Sequence, residues 1–432
     1  MEYKRIIQQS LDYIEDNLRA EITAAELAEK AGFSLYHYYR MFQSATGMPV
    51  MQYVLRRRLL HAIYGIHCGS KGIDAALTYG FDTYAGFYKA FRREFGCTPS
   101  AFLRSCQAKK PYRIELTKEE HIMITHKKAA EILKHWNLEK IVISDIYYEG
   151  TGNKNDNAYY VGEDYVLKFT ANLGKLKNNI TLSKEIEKAG LCAAVPIATN
   201  NGKEYMQEGE VYFCLTRRLP GKQLSTAALY ESNSLECARL IGEKIGKLHT
   251  ALRGVDVPIR DTNIYKNVKE WALPKAKEIL NLKDVFCQEY IKNLERLHDK
   301  LPRQLIHRDP NPGNIICSED KEKEWSFIDF ELSERNVRIY DPCYAATAIL
   351  LEGFEKYREK WFEIYRYIMK GYDSAAGMTE EERKAVPYIL FANQLICVAY
   401  FAEQEKLAAV FEINKRMTCW LAEHFNLLYL EK

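Results

Sequence analysis

The stretch Leu305-Ile306-His307-Arg308-Asp309-Pro310-Asn311-Pro312-Gly313-Asn314-Ile315-Ile316, followed by Ser326-Phe327-Ile328-Asp329-Phe330-Glu331, constrains this chain more than any other. It runs from an apolar segment through a tight polar loop to a β-like run, then to an acid closing a second apolar run. Phosphoryl transfer needs an acid that holds and deprotonates the attacking hydroxyl, and an amide and a second carboxylate that clamp Mg²⁺ on the phosphates. Asp309, Asn314 and Asp329 supply those groups in that order.

The wording His-x-Asp-x-x-x-x-Asn, with Ile328-Asp329 following, resembles the catalytic and metal loops of the protein-kinase-like superfamily. Pro312-Gly313-Asn314-Ile315-Ile316 is most similar to the aminoglycoside phosphotransferase, choline kinase and homoserine kinase branch. The resemblance implies that His307 braces the loop and that Asp341, twelve residues beyond Asp329, is a structural acid behind it. The loop departs from that branch at Arg308, where a small residue is usual, and at Asn311, which replaces a common His.

With 432 residues and 47% hydrophobic content, the chain can bury more than one core and should divide into two or three domains. Its eleven cysteines are scattered, with no Cys-x-x-Cys pair and no Cys/His cluster, so they read as reduced thiols. The amino-terminal residues enter an amphipathic pattern without a signal-peptide profile, and the longest apolar run, Tyr344 to Leu351, is too short to cross a bilayer. The expectation is a soluble cytoplasmic protein with no membrane partner. Charge is distributed unevenly: residues 1–108 hold 13 Lys+Arg against 10 Asp+Glu, whereas the remainder holds 48 of each. The excess points toward a polyanionic partner for the first quarter.

That quarter contains a repeat. Ala28-x-x-x-Gly32-Phe33 recurs as Ala76-x-x-x-Gly80-Phe81, and Tyr38-x-Arg40-x-Phe42 as Phe87-x-Lys89-x-Phe91. Gly47-x-Pro49 is echoed by Gly96-x-x-Pro99, and Val50 to Ile66 reads as one helix between the copies. An Ala that lets two helices approach, a Gly with positive φ in the turn and an aromatic pinning the second helix describe a helix-turn-helix. With Tyr53, Arg58 and Ala62 and the closing Phe95-Gly96-Cys97-Thr98-Pro99, the unit resembles the AraC-type transcription-regulator domain over residues 1–106. The resemblance implies a double-stranded DNA partner, contacted by Tyr36, Tyr39 and Arg40 from the first recognition helix. The second would offer Thr83, Tyr84, Tyr88 and Lys89, while Arg58 is structural.

Residues 107–129 read as a charged linker, including Lys109-Lys110. From Ile141 the periodicity becomes two, giving strands at 141–148, 158–161 and 164–169 around the turn Gly150-Thr151-Gly152-Asn153. Lys168, in an apolar-x-Lys-apolar setting, is placed to reach nucleotide phosphates, with Glu185 or Glu187 on a short helix (182–190) as its ion-pair partner, Glu185 being preferred although the helix register does not fix the choice. The strand Val211 to Arg218 leads into Leu219-Pro220-Gly221, a hinge where backbone groups from Leu215 to Arg217 could meet an adenine.

The fold expected is multidomain: an all-α tandem helix-turn-helix domain followed by an α+β two-lobed protein-kinase-like domain. Its lobes would be residues 130–218 and a helical 219–432. By resemblance the second half uses ATP (or GTP) and Mg²⁺ to phosphorylate a hydroxylated amine, with Asp309 as base and Asn314 and Asp329 as metal ligands. The alternative is a sensor that binds nucleotide or a small-molecule effector without turnover. A homodimer is compatible with either.

Overall fold

The computed structural model describes residues 2–430, apart from 47, 96–97, 106–110, 112, 115, 117–121, 123, 148–153, 232–233, 319–324 and 405–406. The expected turn at Gly150-Thr151-Gly152-Asn153, the Gly47 and Gly96-Cys97 positions of the repeat and Lys109-Lys110 lie outside the described residues. The chain forms two compact units, residues 1–176 with 195–218, and residues 177–194 with 219–432.

The first unit opens with seven helices: α1 (Glu2–Asp16), α2 (Ala24–Lys30), α3 (Leu35–Thr46), α4 (Val50–His67), α5 (Gly72–Thr78), α6 (Tyr84–Phe95) and α7 (Pro99–Ser105). The turn glycines of the repeat, Gly32 and Gly80, adopt φ +75° and +79°, a conformation costly to any residue with a Cβ. Each copy builds its own core. Tyr38 and Phe42 are fully buried in the first, Phe87 and Phe91 in the second. α4 serves both, giving Val50, Tyr53 and Val54 to one core and Leu59, Ala62 and Ile63 to the other. Its polar side is riveted. Arg57 pairs with the buried Glu15 through Nε and, at 3.0 Å, through Nη2, and Arg56 Nη1 donates to Glu94 at 3.0 Å. Arg58 donates to the carbonyls of Leu18 and Ala20, so it holds the α1–α2 connection as expected.

The region read as a solvated linker is anchored at both ends. Ile114 and Leu116 are buried in the first helical core, and Gln8 clasps them, donating to the Ile114 carbonyl (2.9 Å) and accepting from the Leu116 N–H (2.7 Å). Ile122 and Ile124 are buried in the next core. Two apolar pairs in a charged stretch gave too short a pattern to mark burial.

That core lies between α8 (His126–Leu133) and an antiparallel sheet in the order β1-β2-β3-β5-β4. The strands are β1 (Ile143–Tyr147), β2 (Lys154–Val161), β3 (Tyr165–Thr170), β4 (Met206–Glu208) and β5 (Val211–Arg217). The intervening helix α9 (Leu173–Lys188) is longer than expected; Asn172 caps it, accepting from Lys175 N at 3.0 Å. Its last residues belong to the second unit.

The second unit continues with β6 (Lys222–Gln223), α10 (Thr226–Glu231), α11 (Ser234–Leu252), α12 (Ile264–Asn267), α13 (Leu273–Leu280) and α14 (Asp284–His298). Strands β7 (Arg303–Ile306), β8 (Ile315–Cys317), β9 (Ser326–Phe327) and β10 (Glu334–Val337) precede the long helices α15 (Tyr340–Ala376), α16 (Glu380–Phe401) and α17 (Ala408–Glu423). α15 runs 37 residues, where separate apolar stretches near 344–351 and 361–372 were expected, because Gly353 packs against Tyr230 without breaking it. α11 and α15 touch backbone to backbone: a Cβ on Gly242 would stand 1.8 Å from the Ile368 carbonyl, and one on Gly371 1.9 Å from that of Arg239. α16 is long and apolar enough to cross a membrane by length and composition, and 78% of that stretch is buried inside the fold.

Two outcomes follow. Gly242→Ala should destabilise the second unit by about 1–3 kcal/mol or more, since main chain must give way, read as a lower urea midpoint. Burial alone would raise the Glu15 carboxyl, but hydrogen bonds from His61 and Arg57 outweigh it and hold it below its ordinary 4.5. A carboxyl lowered in the fold stabilises fully above its unfolded value and loses that contribution as pH falls through the folded one. Glu15→Gln should therefore cost about 3–5 kcal/mol of local α4 stability at pH 7, by leaving Arg57 buried and unpaired. The gap from wild type in intrinsic-rate-corrected amide-exchange protection should shrink steadily below pH 4.5.

Candidate phosphoryl-transfer site and DNA-facing helices

β7 delivers the polar loop to the second unit's core, and the loop is held by main chain as much as by side chains. The buried Asp341, in the first turn of α15, accepts from the backbone N–H of His307 (2.8 Å, Oδ2) and of Arg308 (2.9 Å, Oδ1). His249 Nε2 lies 2.9 Å from Oδ2, and its Nδ1 lies 2.9 Å from the Tyr372 hydroxyl. His249 is thus a buried brace and not a base. His307, wholly buried, takes the Asp309 N–H on Nδ1 (3.3 Å) and donates from Nε2 to the Ile328 carbonyl (2.9 Å). One imidazole thereby ties the Asp309 loop to the residue preceding Asp329. The Ile328 N–H returns a bond to the Asn314 carbonyl at 3.0 Å.

Asp309 sits in this frame with its carboxylate oriented. Asn311 Nδ2 donates to Oδ1 (2.9 Å), and Asn314 Nδ2 to Oδ2 (3.2 Å) and to the Asp309 carbonyl (2.9 Å). The Tyr344 hydroxyl lies near enough to favour the charged form of the carboxylate. Asn311 Oδ1 accepts from Gly313 N (2.8 Å), closing the turn. Burial raises the Asp309 carboxyl above its ordinary value, and Asp329 adds to this; Asn311, His307 and Tyr344 oppose it. A more basic carboxylate suits a proton acceptor. Asn314 commits its Nδ2 to Asp309 and its backbone carbonyl to the Ile328 N–H, next to Asp329, whose backbone is left-handed (φ +67°). An amide oxygen and a carboxylate are hard donors that suit Mg²⁺ shared with phosphates. Among the described residues no three His, Cys, Asp or Glu side chains cluster as a self-sufficient metal site.

Lys168, Leu215 and Arg217 belong to the first unit, so the other sequence-derived residues are described there. Lys168 is half-buried on β3, opposite Cys214 of β5. Leu215 is fully buried; its carbonyl accepts from Ile197 N at 2.8 Å, and Pro196 bridges Thr216. That covered edge counts against Leu215 as an adenine contact, while Arg217 beyond it is exposed. Glu185, in the second unit, pairs with Lys188 on its own helix (2.5 Å). Sequence reasoning missed Tyr344 and Glu334, which lie far along the chain from Asp309 and carry no local motif.

On the helical side, Tyr36 is 74% exposed on α3 with Arg40 beside it, its guanidinium 5.9 Å from the Tyr36 ring centre. Tyr39 is half-buried. On α6, Lys89 is exposed, Tyr88 half-buried, and Tyr84 rests on Gly72. Thr83 caps α6, its hydroxyl accepting from Gly86 N at 3.0 Å. Arg92 and Arg93, also exposed on α6, were not singled out from the sequence.

A tandem helix-turn-helix unit and a phosphotransferase-type loop set together define a DNA-binding protein with a kinase-like half. The Phosphotransferase enzyme family matches residues 150–378 and a Helix-turn-helix domain family residues 27–105. The chain belongs to the former and carries an AraC-type DNA-binding domain at its amino end. That domain is similar to Regulatory protein SoxS of Salmonella typhimurium, 31% identical over 103 residues, 24% of this chain and 96% of that protein. It is also similar to the Right origin-binding protein of Escherichia coli, 33% identical over 132 residues, 29% of this chain and 46% of that protein. The chain spans about half the length of the first such curated relatives. A microcompartment-associated aminopropanol kinase shares the fold at TM-score 0.51 and 14% identity, over 69% of this chain and 96% of that one. An aminoglycoside phosphotransferase from Alicyclobacillus acidocaldarius does so at TM-score 0.50 and 12% identity, over 74% and 98%.

Arg40→Ala and Lys89→Ala should each weaken duplex binding by full-length protein. A lost base contact costs about 1–3 kcal/mol at its cognate site, whereas a lost phosphate contact lowers the log–log salt slope by about one. Titration across a salt series separates the two, and unchanged affinity in both variants would remove these helices from the interface.

Proposed function

We propose that the chain is a transcription regulator whose second half transfers a phosphoryl group from ATP (or GTP) to the hydroxyl of a hydroxylated amine. The observation that carries this reading is the Asp309 loop, with the base oriented by Asn311 and Asn314 and joined through His307 to the Asp329 segment. A loop kept only for binding has no need of a buried carboxylate raised in pKa and aimed by two amides. The names of the aminopropanol kinase and the aminoglycoside phosphotransferase that share the fold support the acceptor class.

In this mechanism Asp309 accepts the acceptor's hydroxyl proton while Asn311 keeps the carboxylate from rotating away. Lys168 orients the nucleotide phosphates, and the backbone near Arg217 meets the base. Asn314 and Asp329 would hold Mg²⁺, which when bound would supply charge neutralisation on the phosphates. The buried His307–Ile328 bond keeps base and metal segments in register, so both work on one phosphate geometry.

Full-length protein with Mg²⁺ and ATP or GTP, tested against amino alcohols and aminoglycosides, should turn over, and Asp309→Asn should reduce the rate about 10²–10⁴-fold. Nucleotide binding without turnover in wild type would instead make the second half a sensor acting on the DNA-binding half.

A further inference from the structure

Resting on the phosphoryl-transfer reading, we propose that Arg308 and Glu334 are positioning residues, whose buried ion pair sets the relation between the base and metal segments. Arg308 is not a glycine, yet its backbone is left-handed (φ +77°), immediately before Asp309. Asp329, the metal-segment carboxylate, is left-handed too. Non-glycine residues hold such conformations only where their surroundings over-determine them, and these cluster at working sites. The Arg308 backbone is fixed by Asp341. Its side chain is fixed by Glu334: Nε donates to Oε1 at 2.8 Å, while Nη1 donates to the Tyr340 hydroxyl at 2.6 Å and the guanidinium stacks on that ring at 4.8 Å.

Glu334 follows the metal segment along the chain and reaches the base segment with its carboxylate. It lies five residues after Asp329, 1% exposed, and it pairs in register with Ile306, the last residue of β7 before the catalytic loop. Asn336 donates to the same Oε1 at 2.8 Å, and Ser333 Oγ reaches the His307 carbonyl at 3.4 Å. A second path returns to the base. Tyr340 stacks on Tyr344 at 6.0 Å, and the Tyr344 hydroxyl lies beside Asp309, where it favours the charged carboxylate. The guanidinium thus binds the exit of the metal segment on one side and, through two rings, the base on the other.

The alternative is an ion pair that only contributes stability. The test is made on full-length protein, kept below the melting temperature of each variant, with ATP binding followed by calorimetry across a Mg²⁺ series. Arg308→Ala and Glu334→Ala should each raise the half-saturating Mg²⁺ about 10-fold or more, the usual weight of groups that orient metal ligands. The double variant should be no worse than either single, since one interaction is lost in all three. Millimolar guanidinium should restore Arg308→Ala but not Glu334→Ala, and Arg308→Lys should restore little because it lacks the planar fork. Arg260→Ala, which frees the other face of the same carboxylate from a side chain 67% exposed, should change the Mg²⁺ dependence less than about 3-fold. At saturating Mg²⁺, turnover of the two single variants should fall about 10-fold with nucleotide KM held. Folded single variants with unaltered Mg²⁺ dependence, or singles whose effects add, would overturn the proposal while leaving the phosphotransferase reading intact. Wild-type protein that binds neither ATP nor GTP with Mg²⁺ overturns both.

Discussion

The carboxylate of Asp341 holds the second unit's site together. Fully buried, it accepts from two successive backbone N–H groups of the catalytic loop and faces His249 Nε2. A buried carboxylate without such donors would be strongly unfavourable, and the α15 N-terminus adds a favourable dipole. Its position depends on α15, and α15 is placed by α11 through the backbone contacts at Gly242 and Gly371. The same close approach brings His249 and Tyr372 together to complete the carboxylate's surroundings. Glycines remote from the chemistry therefore set the height of the base, because no other residue lets the two helices lie near enough for a histidine to bridge them.

The helical domain solves a related problem with the same parts. Glu15 and Glu94 are buried acids, and the arginines that satisfy them come from α4, the helix shared by both cores. Buried pairs of this kind add little net stability but penalise alternative packings. The consequence is that α3 and α6, each packed within its own core, take their spacing from one rigid connector. In both units a buried carboxylate clasped by cationic or backbone donors fixes the elements that carry function.

What the sequence made legible was whatever is local. Asp309, Asn314 and Asp329 are recognisable because the chemistry needs them within a few residues of a turn, and Gly32 and Gly80 because each copy of the repeat requires its own positive φ. Asp341 was found through its distance from Asp329. The partners that depend on tertiary contact were not legible. Glu334 reaches Arg308, the neighbour of Asp309, only because β10 returns beside β7, and Tyr344 comes near Asp309 only through the first turns of α15. Glu185 has Lys188 one turn away on its own helix, an i,i+3 neighbour that helix geometry always supplies. Leu215 became inaccessible because residues 196–197 cover its strand edge, which no pattern within β5 announces.

The linker is the most consequential of these differences. Composition alone made residues 107–129 a free tether, yet Ile114 and Leu116 close the first helical core and Ile122 and Ile124 close the sheet's core. Five residues separate Leu116 from Ile122, a span of about 20 Å when fully extended. A long solvated linker would let nucleotide chemistry and DNA binding proceed without reference to each other. A short strap with hydrophobic anchors cannot lengthen unless one core surrenders its isoleucine or leucine, and burying such a side chain is worth about 1.5–3 kcal/mol. Any shift of the sheet larger than that slack must therefore be felt in the core that carries α3. The physical route from the sheet's core to the core that carries α3 is thus covalent, short and apolar at both ends.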